Sequence, residues 1–127
     1  MVNVGFVGVG GIAHRHIRSL EQLGGNRIVA FCDTMPDRAT AAADEHGGTA
    51  YTELERMLLT EELDAVFLCT PPFVHAEPIE AITARGIAIF SEKPPAFDLA
   101  QGRRALAAIG ASGVVSNVGF MYRWMMS

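Results

Sequence analysis

Val2-Asn3-Val4-Gly5-Phe6-Val7-Gly8-Val9-Gly10-Gly11-Ile12-Ala13 opens the chain as an apolar run that breaks into glycine. A run without polar alternation is what a parallel strand covered on both faces requires. The segment from Gly8 to Ala13 then matches G-x-G-x-x-[GA] directly after that strand. Each position has a steric task. Gly8 permits the tight turn, Gly10 lets backbone approach a pyrophosphate, and small Ala13 lets the following helix pack closely on the strand. The new helix presents unpaired N–H groups and the positive end of its dipole to the phosphates.

Alone, such a glycine pattern is weak evidence, so its surroundings matter. The second apolar run, Ile28-Val29-Ala30-Phe31-Cys32, closes on Asp33, 20 residues after Ala13. That spacing suits a carboxylate that accepts the adenosine ribose hydroxyls of a dinucleotide. A glycine turn followed by an acid can also serve another adenosyl ligand, such as a methyl donor, or simply pack. A carboxylate at the ribose 2′-OH would repel a 2′-phosphate, and Thr34-Met35-Pro36 supplies no cation to offset it. Arg38 reads as a surface residue of the next helix. NAD is therefore favoured over NADP.

Working outward, further strands are expected at Arg27–Cys32, Thr49–Tyr51, Ala65–Cys69, Ile87–Phe90 and Val114–Val118, with helical stretches between them. Thr52-Glu53-Leu54-Glu55 has the form of a capping box, and Asp98-Leu99-Ala100-Gln101 repeats it. An alanine-rich helix over Asp37–His46 should end at Gly47-Gly48, and Arg85-Gly86 should close another. Strands alternating with helices imply right-handed βαβ crossovers, hence an α/β fold with a doubly wound, mostly parallel sheet of the Rossmann type.

The 127 residues suit one domain, residues 1–127, with no linker, repeat or low-complexity stretch. Half of them are apolar, enough for a packed core and against disorder. A net charge of −4 without any Lys/Arg cluster argues against nucleic acid and anionic membrane as partners. The N-terminus lacks a basic n-region, and no apolar run reaches a membrane span, so a cytoplasmic protein is expected. Cys32 and Cys69 form no C-x-x-C pair. If their strands flank a common neighbour they stand about 9–10 Å apart, too far for a disulfide.

Two later segments carry a resemblance. Leu68-Cys69-Thr70-Pro71-Pro72-Phe73-Val74-His75-Ala76-Glu77 follows the fourth strand, and Phe90-Ser91-Glu92-Lys93-Pro94 ends the fifth. With the glycine loop, these resemble the Gfo/Idh/MocA family of dehydrogenases from Val2 to about Trp124. The resemblance implies that Gly8, Gly10, Gly11 and Ile12 line the pyrophosphate turn and that Asp33 holds the adenosine ribose. It implies that Thr70 and Pro71 pass under the nicotinamide half, with His75 near that end. Glu92 and Lys93 would stand by the nicotinamide ribose, Lys93 as the catalytic or substrate-orienting residue. Val118-Gly119-Phe120-Met121-Tyr122-Arg123 is similar to the segment that leads into a second domain, and residues 120–127 would begin that connection. Ser91 replaces a more usual cysteine, and Pro95 makes an unusual double proline. Pro78 is tolerable in the first turn of its helix.

Family enzymes continue into an α/β domain that supplies a catalytic histidine and most substrate contacts, so this C-terminal domain is expected to be absent here. The implied activity is hydride transfer between NAD and a sugar, polyol or related hydroxyl metabolite, the substrate being held by the missing domain. An NAD-dependent glycosidase and a non-catalytic dinucleotide-binding module are the alternatives. Retention of Lys93 favours an enzyme. No metal is expected, because His14 and His16, at i,i+2, do not share a helix face and no cluster of Cys, His and carboxylates is evident. His46 reads as a solvated or dipole-satisfying residue at a helix end. Met121, Trp124, Met125 and Met126 are expected to pack against the second domain; left exposed, such a face would favour a homo-oligomer.

Overall fold

A computed structural model describes residues 1–119. The readings placed on Phe120, Met121, Tyr122, Arg123, Trp124, Met125 and Met126 lie outside the described residues.

Six strands form one sheet: β1 (Val2–Val7), β2 (Asn26–Cys32), β3 (Thr49–Tyr51), β4 (Ala65–Leu68), β5 (Ala88–Ser91) and β6 (Ser116–Val118). Their order is β3-β2-β1-β4-β5-β6, and every pair is parallel. The helices are α1 (Gly11–Leu23), α2 (Pro36–His46), α3 (Leu54–Thr60), α4 (Ala76–Thr83) and α5 (Leu99–Ser112), with a single 3₁₀ turn at Pro72–Val74. The order reverses between β1 and β4, which are neighbours in space and separated by two strands in sequence. A crevice opens at such a switch point because the two connections leave in opposite directions.

Within each apolar run the side chains still alternate between faces, and the two faces differ in chemistry. Val7, Ala30, Cys32, Val66, Leu68 and Ile89 meet Met57, Leu58, Ile79 and Ile82 in an aliphatic core on the side of α3, α4 and α5. Val4, Phe6 and Phe31 meet Val9, Ala13, Ile17 and Ala42 on the side of α1 and α2. On that second face the register aligns Phe31, Phe6, Phe67 and Phe90 across four neighbouring strands. Their rings stack with centroids 6.1, 5.0 and 4.8 Å apart. Aromatic pairs of this kind contribute about 0.5–1.5 kcal/mol each beyond the area they bury, so the row ties the sheet together across its switch point.

Two of the expected helix caps turn out differently. α3 starts at Leu54 with Glu53 at the N-cap and no side-chain cap bond, so Thr52 and Glu55 form no capping box. Asp98 does cap α5 by accepting from the Gln101 N–H at 2.8 Å. The Gln101 amide, however, turns to the Phe73 carbonyl at 3.4 Å and leaves the box half-formed. Cap patterns state only which bonds the local chain permits; competing partners from neighbouring loops decide which are made. Pro78 falls in the first turn of α4, where its missing N–H costs nothing. No helix among the described residues is long and apolar enough to cross a membrane.

Candidate functional site

The sheet register places the chemistry. Val7 pairs with Cys32 and with Leu68, and Leu68 pairs with Ser91, so four strands end level. The ladder then runs one residue further. Gly8 N–H donates to the Cys32 carbonyl at 2.8 Å, Cys69 N–H to Val7 at 2.7 Å, and Glu92 N–H to Leu68 at 2.9 Å. Asp33, Gly8, Cys69 and Glu92 therefore stand in a row along the carboxyl edge, spaced by the sheet at about 4.8 Å per strand. A cleft of about 880 Å³ lies over this row. Gly8, Gly10, Gly11, Ile12, Asp33, Thr70, Pro71, Glu92 and Lys93 all line it; His75 does not.

At the centre of the row the backbone is tight. Gly8 has φ +86°, and a Cβ there would come within 2.8 Å of the Cys69 carbonyl carbon and the Thr70 nitrogen. Only glycine fits, for conformation and for space. Gly10 and Gly11 differ, since a Cβ on either meets nothing within 4 Å. These two glycines face the open cleft. Gly10 is the N-cap of α1 and makes no side-chain cap, so first-turn N–H groups point into the cleft without intrahelical partners.

Two buried carboxylates close the ends. Asp33 is 9 % exposed; its Oδ2 accepts the Val9 N–H at 2.9 Å and its Oδ1 the Met35 N–H at 2.8 Å. The carboxylate thus ties the glycine turn to the β2–α2 loop, and each oxygen retains acceptor capacity for a ligand. At the other end Glu92 is 8 % exposed. Its Oε1 accepts from His16 Nε2 at 2.7 Å and its Oε2 from the Lys93 backbone N–H at 3.1 Å. His16 itself packs on the Phe67 and Phe90 rings, with centroids 5.4 and 5.0 Å away. Lys93 is exposed, and among the described residues no carboxylate lies within ion-pair distance of its ammonium.

His75 is 1 % exposed and fastens the floor. Its Nε2 donates to the Thr70 carbonyl at 2.6 Å, and its Nδ1 lies 3.3 Å from both the Ser91 hydroxyl and the Pro95 carbonyl. The imidazole thereby joins the loop after β4 to the loop that carries Lys93. Both thiols near the row are held in the protonated form at neutral pH. Burial, reinforced by the charge of Asp33, pushes Cys32 up to about 11, and burial with Glu92 pushes Cys69 up to about 12. Both cysteines are free.

The family model described as an oxidoreductase family with an NAD-binding Rossmann fold, Gfo/Idh/MocA, matches residues 2–120. The chain belongs to this family. Similar relatives of the Gfo/Idh/MocA chain include the uncharacterized oxidoreductase YrbE of Bacillus subtilis, 35% identical over 94% of this chain and 36% of the relative. An inositol 2-dehydrogenase of Rhizobium meliloti is 32% identical over 97% of this chain and 37% of its own length. Among solved structures, the WlbA dehydrogenase of Bordetella pertussis in complex with NADH and UDP-GlcNAcA superposes with a TM-score of 0.85 at 32% identity, covering 89% of this chain and 35% of that one. The chain spans about a third of the length of the relatives it matches.

The residues of this Gfo/Idh/MocA domain fit the dinucleotide its family binds. The glycine turn is open on the cleft side, the α1 N-terminus is uncapped, and the buried Thr70 hydroxyl beside the cleft has no hydrogen-bond partner. Arg38, read from the sequence as a surface residue of the next helix, is exposed there and also lines the cleft beside Asp33. Its position three residues into the Pro36–His46 helix was the available signal. Thr34 and Met35, next to Asp33, and Phe73, after Thr70, also line the cleft, together with Thr52. His46 does stand in the last turn of α2, where a basic residue suits the helix dipole, but it is not solvated. Its side chain is 8 % exposed, packed on Phe31 and bonded to Glu21 rather than solvated.

Proposed function

We propose that this chain is the cofactor-binding half of an NAD-dependent dehydrogenase acting on a secondary hydroxyl of a sugar or polyol. The observation that carries the reading is the row Asp33–Gly8–Cys69–Glu92 across the switch point, with exposed Lys93 beside its last member. Asp33 accepts ribose hydroxyls with its remaining lone pairs. The N–H groups of the glycine turn and of the first turn of α1 hold the pyrophosphate. Thr70 and Pro71 form the floor under the nicotinamide, and His75 acts through them as a positioning residue. When bound, the nicotinamide supplies the hydride acceptor, so the redox chemistry is the cofactor's. Glu92, held by His16, positions the backbone of Lys93, whose Nζ orients the substrate hydroxyl or takes its proton. The substrate and the rest of proton transfer belong to a further domain. Inositol dehydrogenase relatives support a polyol-like substrate class. The two protonated thiols suit a reducing cytoplasm.

Titration of the chain with NADH and NADPH tests the cofactor half. Saturable NADH binding, tighter than NADPH, is expected, and neither cofactor binding at millimolar concentration would overturn the reading. The gene product with its remaining domain, assayed over inositols and aldoses with NAD, tests the rest.

A further inference from the structure

Outside the cleft, α1 and α2 meet through a cluster of imidazoles and carboxylates. His14, Glu45 and His46 each offer one ligand atom, and these atoms all lie within 4.8 Å of one another. None of the three lines the cofactor cleft. The expectation of no metal cluster rested on His14 and His16 sharing no helix face. That argument holds for the pair, but His14 finds its partner on another helix.

His46 supplies the independent observation. Its side chain is 8 % exposed, and its Nδ1 stands 2.7 Å from Glu21 Oε1. A carboxylate can only accept, so Nδ1 carries the proton, and in the neutral ring Nε2 then carries the lone pair. Nε2 has no hydrogen-bond partner, its nearest carboxylate oxygen being Glu45 Oε2 at 3.6 Å. A buried polar atom without a partner costs free energy that a bound cation would recover. The arrangement is the one metal-bound histidines adopt: a carboxylate on one ring nitrogen sets the tautomer and aims the other at the ion. Glu21 lies seven residues after His14 on α1, two helical turns, hence on the same face. The His46 ring is steadied by Phe31, 6.1 Å away between centroids, and faces His14 at 6.2 Å.

We propose that His14, Glu45 and His46 bind a divalent cation of the zinc class, with Glu21 as the positioning residue for His46. Two imidazoles and one carboxylate suit zinc and its first-row neighbours, not magnesium or calcium, which take oxygen ligands. Three protein ligands leave a fourth position for water. Ligand atoms about 2 Å from such an ion stand roughly 3.3 Å apart. Half-exposed His14 and exposed Glu45 rotate to close that gap, while buried His46 stays fixed. The cation would link the helix that begins at the glycine turn to the helix that begins just after Asp33.

The test uses the untagged chain stripped by chelator and titrated with zinc chloride alone by calorimetry, with cobalt(II) as a visible-absorption probe. One zinc per chain is expected, raising Tm saturably because the ion binds the folded form. His14→Ala should weaken zinc binding at least 100-fold and abolish the Tm rise, and Glu45→Gln should weaken it about 10-fold or more. Glu21→Gln should cost roughly 10–100-fold. Circular dichroism and NADH titration check that each variant folds. Glu45 is 69 % exposed, so its replacement does not disturb packing. No saturable uptake by the wild-type chain, or an isotherm unchanged in His14→Ala or Glu45→Gln, would overturn the site.

Discussion

The two ends of the cofactor cleft both carry a buried carboxylate, and they hold it in different ways. Asp33 is fixed by backbone N–H groups, one of them two residues away at Met35. Glu92 is fixed by the imidazole of His16, 76 residues distant in sequence and carried on α1. The Asp33 end is thus built of backbone alone, one donor from its own turn and one, Val9, from the glycine loop 24 residues earlier. The Glu92 end is held by a side chain: His16, packed on the Phe67 and Phe90 rings, reaches Glu92 from another element. An end that stabilises a ligand by position alone tolerates construction from backbone. Under the proposed function the Glu92 end must hold a carboxylate and an ammonium at defined places, and a long-range partner fixes the carboxylate.

The largest effect expected along this contrast is at Lys93. In the full-length gene product Lys93→Ala should lower kcat about 10²–10⁴-fold, the usual scale of acid–base assistance, while NADH affinity changes little. Unchanged kcat with weakened cofactor binding would make the two ends alike and remove the proton-handling role from this one.

Next come the thiols that flank the two carboxylates. With Cys32 raised to about 11 and Cys69 to about 12, alkylation at pH 8 should run roughly 10²–10³-fold or more below that of a free cysteine of pKa about 8.5, Cys69 the slower of the two. The sign for stability follows from proton counting. Above about pH 8.5 the unfolded thiols ionise while the folded ones keep their protons, so the unfolded chain binds fewer protons. Stability contributed by these groups is complete below about pH 8.5 and falls as pH rises toward the folded values. Rapid modification of either residue by iodoacetamide in the folded chain would contradict this.

A smaller effect belongs to Asp33. Hydrogen bonds to a charged acceptor are worth about 1.5–3 kcal/mol, so Asp33→Ser should weaken NADH roughly 10–100-fold. Combined with Thr34→Arg it should narrow or invert the preference over NADPH, with Arg38 already present on that wall. Equal affinity of the wild-type chain for both cofactors, measured by fluorescence titration, would remove the carboxylate's discriminating role.

The smallest change is expected from His16→Gln. An amide donor can still reach Glu92, so a full-length variant should lose less than about 10-fold in kcat and keep its KM for NAD, whereas His16→Ala leaves a buried carboxylate short of one donor and should lose more. If both variants behave as wild type, Glu92 is held by its backbone alone and the contrast between the two ends disappears.

Much of the site was legible in the linear chain because it is written in consecutive residues. Gly8 to Ala13 carry a recognisable turn pattern, although the space that excludes a Cβ at Gly8 is set by Cys69 and Thr70; Asp33 follows its strand directly, and continuous apolar runs between helices announce parallel strands covered on both faces. The order and the level ends of those strands then place Thr70, Glu92 and Lys93 at one edge. Other features were not legible, each because its energy comes from partners far apart in sequence. The alignment of Phe31, Phe6, Phe67 and Phe90 depends on register, and a one-residue slip would turn each ring to the opposite face. Arg38 faces the cleft because of where α2 leaves the sheet. His75 serves the site from beneath, out of the cleft, because two loops close over it. The capping box at Thr52 failed for the same reason, since α3 begins where packing places it and not where local hydroxyls invite it. The sequence by itself determined the alternation of strands and helices and which residues follow each strand, because apolar runs and turn residues act over neighbouring positions. Only the tertiary structure decided which imidazoles meet which carboxylates, because those pairs, His16 with Glu92 and His46 with Glu21, exist only once the α1–α2 face has closed over the sheet.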